Sequence, residues 1–191
     1  MNIHNLYSQD GIVIEGLKLF TPDVFEDSRG FFFESWNKKS FDRKIGLTSF
    51  NFVQDNHSKS KKGVFRGFHY QLPPNAQGKL VRCVFGEIFD IAIDIRSGSN
   101  SFGQWTGVNL SANNYQQLWI PKGFAHGFLT LSDHAEVIYK VTDYWNKDKE
   151  RSISWKDPSI EIKWPIKGPY YISEKDLNAP FLSDLNKDDI F

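Results

Sequence analysis

From Val64 to Val141 the sequence is a train of short apolar and aromatic runs cut by turn residues, and this spacing restricts the fold more than any other feature. Lys79 to Phe85 is followed by Gly86 to Ile95, which stops at Ser97-Gly98-Ser99-Asn100. Phe102 to Leu110 stops at Ser111-Ala112-Asn113-Asn114. Gln116 to Ile120 meets Pro121-Lys122-Gly123, and Phe124 to Leu131 and Ala135 to Val141 complete the series. Runs of this length at near-even intervals predict the strands of an antiparallel sandwich or jelly roll. No helical pattern alternates with them, which argues against a parallel doubly wound sheet. A high aromatic share, 16% with 17 Phe and 6 Trp, suits strands and pockets that stack on flat ligands.

The flanks are more mixed. Ile12 to Phe20 reads as a strand ended by Thr21-Pro22-Asp23, and Asp27-Ser28-Arg29-Gly30 as a turn feeding an aromatic strand, Phe31 to Trp36. Asn37 to Ile45 predicts a short helix capped by Asn37 and ended by Gly46. Phe50 to Asn56 has strand character, and His57 to Gly63 reads as a polar, basic loop. After Asp143 the chain loosens, and Ser173-Glu174-Lys175-Asp176 opens a second short helix. The expected organisation is one domain over residues 1–191, with 183–191 as a loose tail.

Within the train, Val64-Phe65-Arg66-Gly67-Phe68-His69-Tyr70-Gln71 carries the chemistry. Strict alternation puts Val64, Arg66, Phe68 and Tyr70 on one face and Phe65, Gly67, His69 and Gln71 on the other. A histidine on a strand face of small and apolar neighbours is a candidate base, because imidazole titrates near pH ~6.5 and can take and return a proton. The plainer reading is a hydrogen-bonded core histidine.

Charge excludes whole classes of partner. Lys+Arg and Asp+Glu are 23 each, so no basic field is present to bind nucleic acid or a membrane surface. Cys83, the single cysteine, forms no internal disulfide and reads as a buried inert thiol on a strand. Met1 to Asp10 is polar, without the apolar stretch of a signal peptide, and a cytoplasmic location is expected.

Three chemistries have candidate residues. A metal site would draw on His57, His69 and His126, and Pro121-Lys122-Gly123-Phe124-Ala125-His126 resembles the second cupin motif. The first cupin motif needs a His-x-His pair, and here it reads His69-Tyr70-Gln71, so no metal is expected. Phosphate binding lacks a glycine-rich loop, but Arg29 and Arg66 sit on or beside strands, where a guanidinium clamps a phosphate or pairs with a carboxylate such as Glu34, Asp90 or Asp94. Proton transfer beside a carbonyl needs a base, a group to hold enolate charge, and an acid on the far face. His69, Lys79 and Tyr139 are of the right types, but the sequence does not show that they converge.

Several ordered motifs then coincide. They are Asp27-x-Arg29-Gly30-Phe31-Phe32-Phe33-Glu34-Ser35, Phe52-Val53-Gln54-Asp55-Asn56-His57-Ser58, Arg66-Gly67-Phe68-His69-Tyr70-Gln71 and Gln77-Gly78-Lys79-Leu80-Val81-Arg82. Phe102-Gly103-Gln104-Trp105, Gln117-Leu118-Trp119-Ile120-Pro121-x-Gly123-Phe124-Ala125-His126-Gly127-Phe128, Tyr139-Lys140 and Ser173-x-Lys175-Asp176 continue the order. Together they resemble the dTDP-4-dehydrorhamnose 3,5-epimerase family from about Ile12 to Leu182. The resemblance implies an all-β fold, a cupin-type β-jelly roll with a few short peripheral helices, working as a homodimer with no metal or organic cofactor. It implies a dTDP-4-dehydro-6-deoxy-D-glucose substrate, epimerised at C3 and C5 on the way to dTDP-L-rhamnose. By the same resemblance His69 is the base and Asp176 its partner. Tyr139 is the acid and Lys79 steadies the enolate. Arg29, Glu34, Gln54, Asn56, Arg66, His126, Glu150 and Lys175 contact the nucleotide, with Arg29 and Glu34 reaching a neighbouring subunit if the N-terminal strand is exchanged. Many relatives have two tyrosines where this chain has Tyr144-Trp145, and Trp145 is the expected stacking partner of thymine. The alternatives are an epimerase of one centre only and a sugar-nucleotide-binding cupin without catalysis. A metal-dependent cupin oxygenase is disfavoured by Gln71.

Overall fold

The computed structural model describes residues 1–46 and 50–191. In chain order the elements are β1 (Asn2–Tyr7), β2 (Val13–Thr21), β3 (Phe25–Asp27), β4 (Gly30–Phe32), α1 (Lys38–Ile45), β5 (Gln54–Lys61) and β6 (Phe65–Gln71). Then come β7 (Lys79–Phe85), β8 (Glu87–Asp94), β9 (Trp105–Ser111), β10 (Gln117–Ile120), β11 (Phe124–Thr130), β12 (His134–Val141), β13 (Glu150–Ser152) and α2 (Glu174–Leu177). Two single 3-10 turns, Leu182–Asp184 and Lys187–Asp189, end the chain. One sheet has the order β1-β2-β10-β7-β12-β5, the other β13-β6-β11-β8-β9, and β3 and β4 form a separate hairpin. Packed face to face, the two antiparallel sheets form a cupin-type jelly roll.

Alternation along the strands sorts residues into three layers. Between the sheets lie Val81, Cys83, Leu118, Val137, Ile88, Ala92, Phe124 and Phe128, which form an apolar plug in the barrel. Outside the six-stranded sheet, Phe41 of α1 packs on Phe20, Leu80 and Trp119. That helix forms as its sequence predicts: Asn37 Oδ1 accepts the Ser40 N–H at 3.1 Å, and Gly46 takes the left-handed conformation at φ 71°. Outside the five-stranded sheet, Phe65, Phe68, Tyr70, Ile91 and Ile93 are covered by the C-terminal segment through Trp155, Trp164 and Tyr170.

Several expectations are corrected. His57 to Lys61 is not loop but the outer half of β5, paired along its length with β12. Its polar residues still alternate: Asp55, His57, Lys59 and Lys61 face out, while Gln54, Asn56, Ser58 and Ser60 turn inward. Hydrophobic periodicity is silent on such a strand, and outward lysines suit a sheet edge. The polar N-terminus also holds an unexpected strand, β1, which adds to β2 and buries Leu6. The aromatic strand expected over 31–36 is pared to Gly30–Phe32. Residues 183–191 are not loose. Phe191 exchanges backbone hydrogen bonds with Ile95 and Ser97, Tyr70 Oη donates to the Asp189 carbonyl at 2.7 Å, and Asp189 pairs with Arg151 at 2.6 Å.

The most consequential correction is in β6. His126 on β11 pairs with His69, and Phe128 pairs with Arg66, so two steps on β11 match three on β6. This bulge carries one extra residue and re-aims the side chains on either side of it. Arg66 and His69 therefore share the inner face, and Phe65 and Phe68 both face the outer cluster with Trp164. Strict alternation would separate Arg66 from His69. Gly67 permits the bulge: its φ is +135°, and a Cβ there would stand 2.4 Å from Gly127 Cα.

Candidate active site

Phe128 belongs both to the apolar plug and to a polar cavity beside it. Its inner wall is built from the same alternation, with β6 and β11 supplying Arg66, His69 and His126 and the facing sheet supplying Lys79 and Tyr139. These side chains line a cavity of about 470 Å³, closed on a third side by Ile172, Ser173, Lys175 and Asp176. An adjoining recess of about 110 Å³ shares His69, Lys79 and Tyr139 and adds Gln54, Asn56, Trp145 and Glu150.

His69 Nε2 lies 2.6 Å from Asp176 Oδ1. A carboxylate only accepts, so Nε2 carries the hydrogen and Nδ1 keeps the lone pair. Asp176 is delivered by α2, whose cap Ser173 accepts the Asp176 N–H on Oγ at 3.2 Å. Burial raises the Asp176 carboxyl, but His69 and Ser173 outweigh it and hold the group below the usual carboxylate range. Lys79 is buried, and its Nζ donates to the His69 carbonyl at 3.0 Å. Burial brings it down to about 8, against the pull of Asp90 and Glu150. Tyr139 sits on β12 across from β6, and burial raises its phenol above the ordinary value. His126 Nε2 is 2.7 Å from Asp90 Oδ1, both residues buried.

Eleven sequence-predicted residues meet around these two spaces: His69, Lys79, Tyr139 and Asp176 with Arg66, His126 and Lys175, then Gln54, Asn56, Trp145 and Glu150. Among the described residues Arg66 pairs with no carboxylate; its guanidinium donates to Ser60 Oγ at 2.9 Å and to the Lys59 carbonyl at 3.4 Å. Trp145 is more than half exposed, and its backbone N–H donates to Gln54 Oε1 at 3.1 Å. Lys175 pairs with Glu150 across the mouth. Arg29 and Glu34 do not join them. Arg29 pairs with Asp27 on the β3–β4 hairpin, its side chain 87% exposed, and Glu34 accepts from Asn37 at 3.0 Å.

Among the described residues no group of three or more His, Cys, Asp or Glu is placed to hold a metal ion. His57 is paired with Glu136 at the exposed edge, away from His69 and His126. Gln71, at the broken cupin position, pins the next loop: its Nε2 donates to the Asn75 and Tyr144 carbonyls, and its Oε1 accepts the Asn146 N–H. Cys83 is buried, and burial pushes its thiol up to about 11. Sequence reasoning missed Asp90 as a partner of His126, treating it only as an ion-pair partner for an arginine. The available signal was an acid inside the apolar run Ile88-Phe89-Asp90-Ile91-Ala92-Ile93.

A jelly roll with a carboxylate-backed imidazole on one wall and an ammonium and a phenol on the other is an acid–base enzyme of the cupin class. Comparison narrows the class. The family model described as dTDP-4-dehydrorhamnose 3,5-epimerase matches residues 12–184, and the chain belongs to that family. The dTDP-4-dehydrorhamnose 3,5-epimerase of Shigella flexneri is 59% identical over 166 residues, covering 87% of this chain and 91% of its own. A Legionella pneumophila dTDP-6-deoxy-D-glucose-3,5-epimerase, solved with dTDP-4-keto-L-rhamnose, superposes with a TM-score of 0.91 at 45% identity, covering 99% of this chain and 97% of its own. A 3'-monoepimerase from Streptomyces bikiniensis, solved with dTDP-quinovose, gives 0.86 at 32% identity over 94% and 87%.

Proposed function

We propose that the protein is a dTDP-4-dehydrorhamnose 3,5-epimerase, converting dTDP-4-dehydro-6-deoxy-D-glucose to dTDP-4-dehydro-L-rhamnose for dTDP-L-rhamnose biosynthesis. The observation that carries this reading is one cavity with His69 on one sheet and Tyr139 on the other, and with Lys79 reaching from the Tyr139 sheet to the His69 carbonyl. C3 and C5 of the substrate both flank the C4 ketone. His69 Nδ1 takes the hydrogen as a proton, and the C–H electron pair moves into an enolate on the C4 oxygen. The Lys79 ammonium stabilises that charge, most effectively where water is scarce. The Tyr139 phenol then gives its proton to the opposite face, the enolate returns to the ketone, and the configuration is inverted. The phenolate is reprotonated from water and His69 releases its proton. The sugar is its own electron sink, so the scheme uses no nicotinamide or flavin. Asp176 holds the tautomer and favours the imidazolium once formed.

The nucleotide belongs at the mouth, with Arg66 and Lys175 on the diphosphate, His126 on the sugar side, and Gln54, Asn56, Glu150 and the Trp145 face toward thymine. Arg29 and Glu34 serve the site of a second copy, and the protein works as a homodimer. The support is the β3–β4 hairpin, which carries Arg29 outward together with Phe25 and Phe32, 67% and 71% exposed. A cytoplasmic setting belongs to the same proposal, and the free thiol of Cys83 suits a reducing compartment.

Turnover in D2O tests the reading. Deuterium is expected at both C3 and C5, and His69→Ala abolishes exchange at both while dTDP still binds. Tyr139→Phe impairs net inversion more than exchange, because proton removal does not use the phenol. Label at one carbon would replace the proposal with a single-centre epimerase, the activity for which the Streptomyces bikiniensis protein is named. No label at either would leave a binding protein.

A further inference from the structure

We propose that Asp90 is a positioning residue of this site: one carboxylate oxygen fixes which nitrogen of His126 accepts a hydroxyl of the bound sugar, and the other supplies a fixed negative charge to the buried Lys79 ammonium. The proposal rests on the acid–base reading above.

Asp90 lies on β8, on the inward face shared with Ile88 and Ala92 of the apolar plug, and is fully buried. An acid in such surroundings is retained only with partners that repay its loss of water. Its Oδ1 has one, His126 Nε2 at 2.7 Å. Its Oδ2 makes no hydrogen bond among the described residues. A buried, unpartnered carboxylate oxygen behind a catalytic cavity calls for an account other than packing.

The other acids around the cavity are committed. Asp176 is bonded to His69, and Glu150 is paired with Lys175. The remaining charged or titratable groups facing this corner are His69 and Arg66 from β6, Tyr139 from β12, Tyr171 of the C-terminal segment, and the Cys83 thiol of β7, on which Asp90 also acts. Asp90 is thus the acid whose charge no cation in direct contact neutralises, and Lys79 is the buried cation within its electrostatic reach. Of the groups acting on Lys79, Asp90 pulls hardest toward the charged form, ahead of Glu150.

The hydrogen bond has its own consequence. Burial, with Lys79 and His69 nearby, lowers the His126 imidazole despite the pull of Asp90 and so favours the neutral ring. A neutral ring has one N–H, and the carboxylate claims it for Nε2. Nδ1 is left as an acceptor on a residue that lines the cavity, suited to a sugar hydroxyl. The two histidines are directly paired across β6 and β11 and each is backed by an aspartate, yet their tasks differ: His69 moves protons, and His126 holds the ring.

Two variants separate the two oxygens. Asp90→Asn keeps an acceptor for His126 and removes the charge; Asp90→Ala removes both. Nitrogen-15 NMR of the imidazoles and of the Lys79 ammonium, on protein without substrate, reads tautomer and titration directly. His126 is expected as the Nε2–H form in the unmodified protein and in Asp90→Asn, with the Nδ1–H form appearing in Asp90→Ala. The Lys79 midpoint is expected to fall in both variants, and the basic limb of kcat against pH to move down with it. Loss of kcat at pH 8 is expected to be roughly tenfold or more in Asp90→Asn. A residue that merely packs would change stability and leave the limb in place. An unmoved Lys79 midpoint and limb in Asp90→Asn overturn the charge role, even if Asp90→Ala does not fold. A His126 tautomer unchanged in folded Asp90→Ala overturns the positioning role. Because the NMR readouts need no turnover, failure of the epimerase reading would show separately, as absence of deuterium exchange in the unmodified protein.

Discussion

Lys79 is the residue at which stability and chemistry conflict. It has the ordinary value of 10.5 in the unfolded chain and falls to about 8 on burial. A base whose value falls on folding penalises its charged form. The fold is therefore handicapped below about pH 8, and the handicap fades as the pH rises from about 8 toward 10.5. The full penalty is on the order of 3 kcal/mol, offset by about 1 kcal/mol from the bond to the His69 carbonyl. Lys79→Met is accordingly expected to be more stable at pH 7 by roughly 1–3 kcal/mol in urea unfolding, an advantage that shrinks toward pH 10. The same variant should lose about a hundredfold or more in kcat. In the unmodified enzyme kcat should fall above about pH 8, where the ammonium is lost. A destabilised Lys79→Met at pH 7 would contradict this account of the site.

Among the elements, the bulge in β6 decides whether there is a site. Without it Arg66 would face the outer aromatic cluster and only His69 the cavity. Its geometry leaves no room at two glycines: a Cβ on Gly67 would meet Gly127 Cα at 2.4 Å, and one on Gly127 would meet the Arg66 carbonyl at 2.7 Å. Gly67→Ala is therefore expected to cost on the order of 3 kcal/mol and to lower kcat through displacement of His69. Calorimetry and steady-state kinetics check it, and an alanine variant of unchanged Tm would show that the strands can separate without harm. The helix α1 is legible in the sequence because caps are local: Asn37 and Gly46 announce it within nine residues. The bulge is not, because it is defined by the facing strand. Strand β5 escapes sequence reading for a related reason, since its alternation is of polar against charged side chains and carries no hydrophobic signal.

For the molecule as a unit, the β3–β4 hairpin is the part that points to a second copy. Arg29 and Glu34 stand away from the cavity of their own chain, on a short ribbon with exposed phenylalanines. In an isologous dimer each hairpin would complete the other copy's site. Complementation checks this. Refolding inactive His69→Ala together with impaired Arg29→Ala should restore about a quarter of the sites, those in mixed dimers that combine an intact His69 with the partner's arginine. If Arg29 acts within its own chain, mixing restores nothing.

Reading along the chain was enough to indicate the fold class and to nominate candidate residues. Strand spacing and caps are local properties and indicated a jelly roll, while the ordered motifs nominated His69, Lys79, Tyr139 and Asp176; inward parity failed at β6, where the bulge sets Arg66 on the same face as His69. Who meets whom was settled in three dimensions. Asp176 reaches His69 across 107 positions of chain, and Asp90 reaches His126 across 36. Those distances are closed by sheet pairing and by the C-terminal segment folding back, and such contacts are set by the packing of the whole barrel, which no window of the sequence contains.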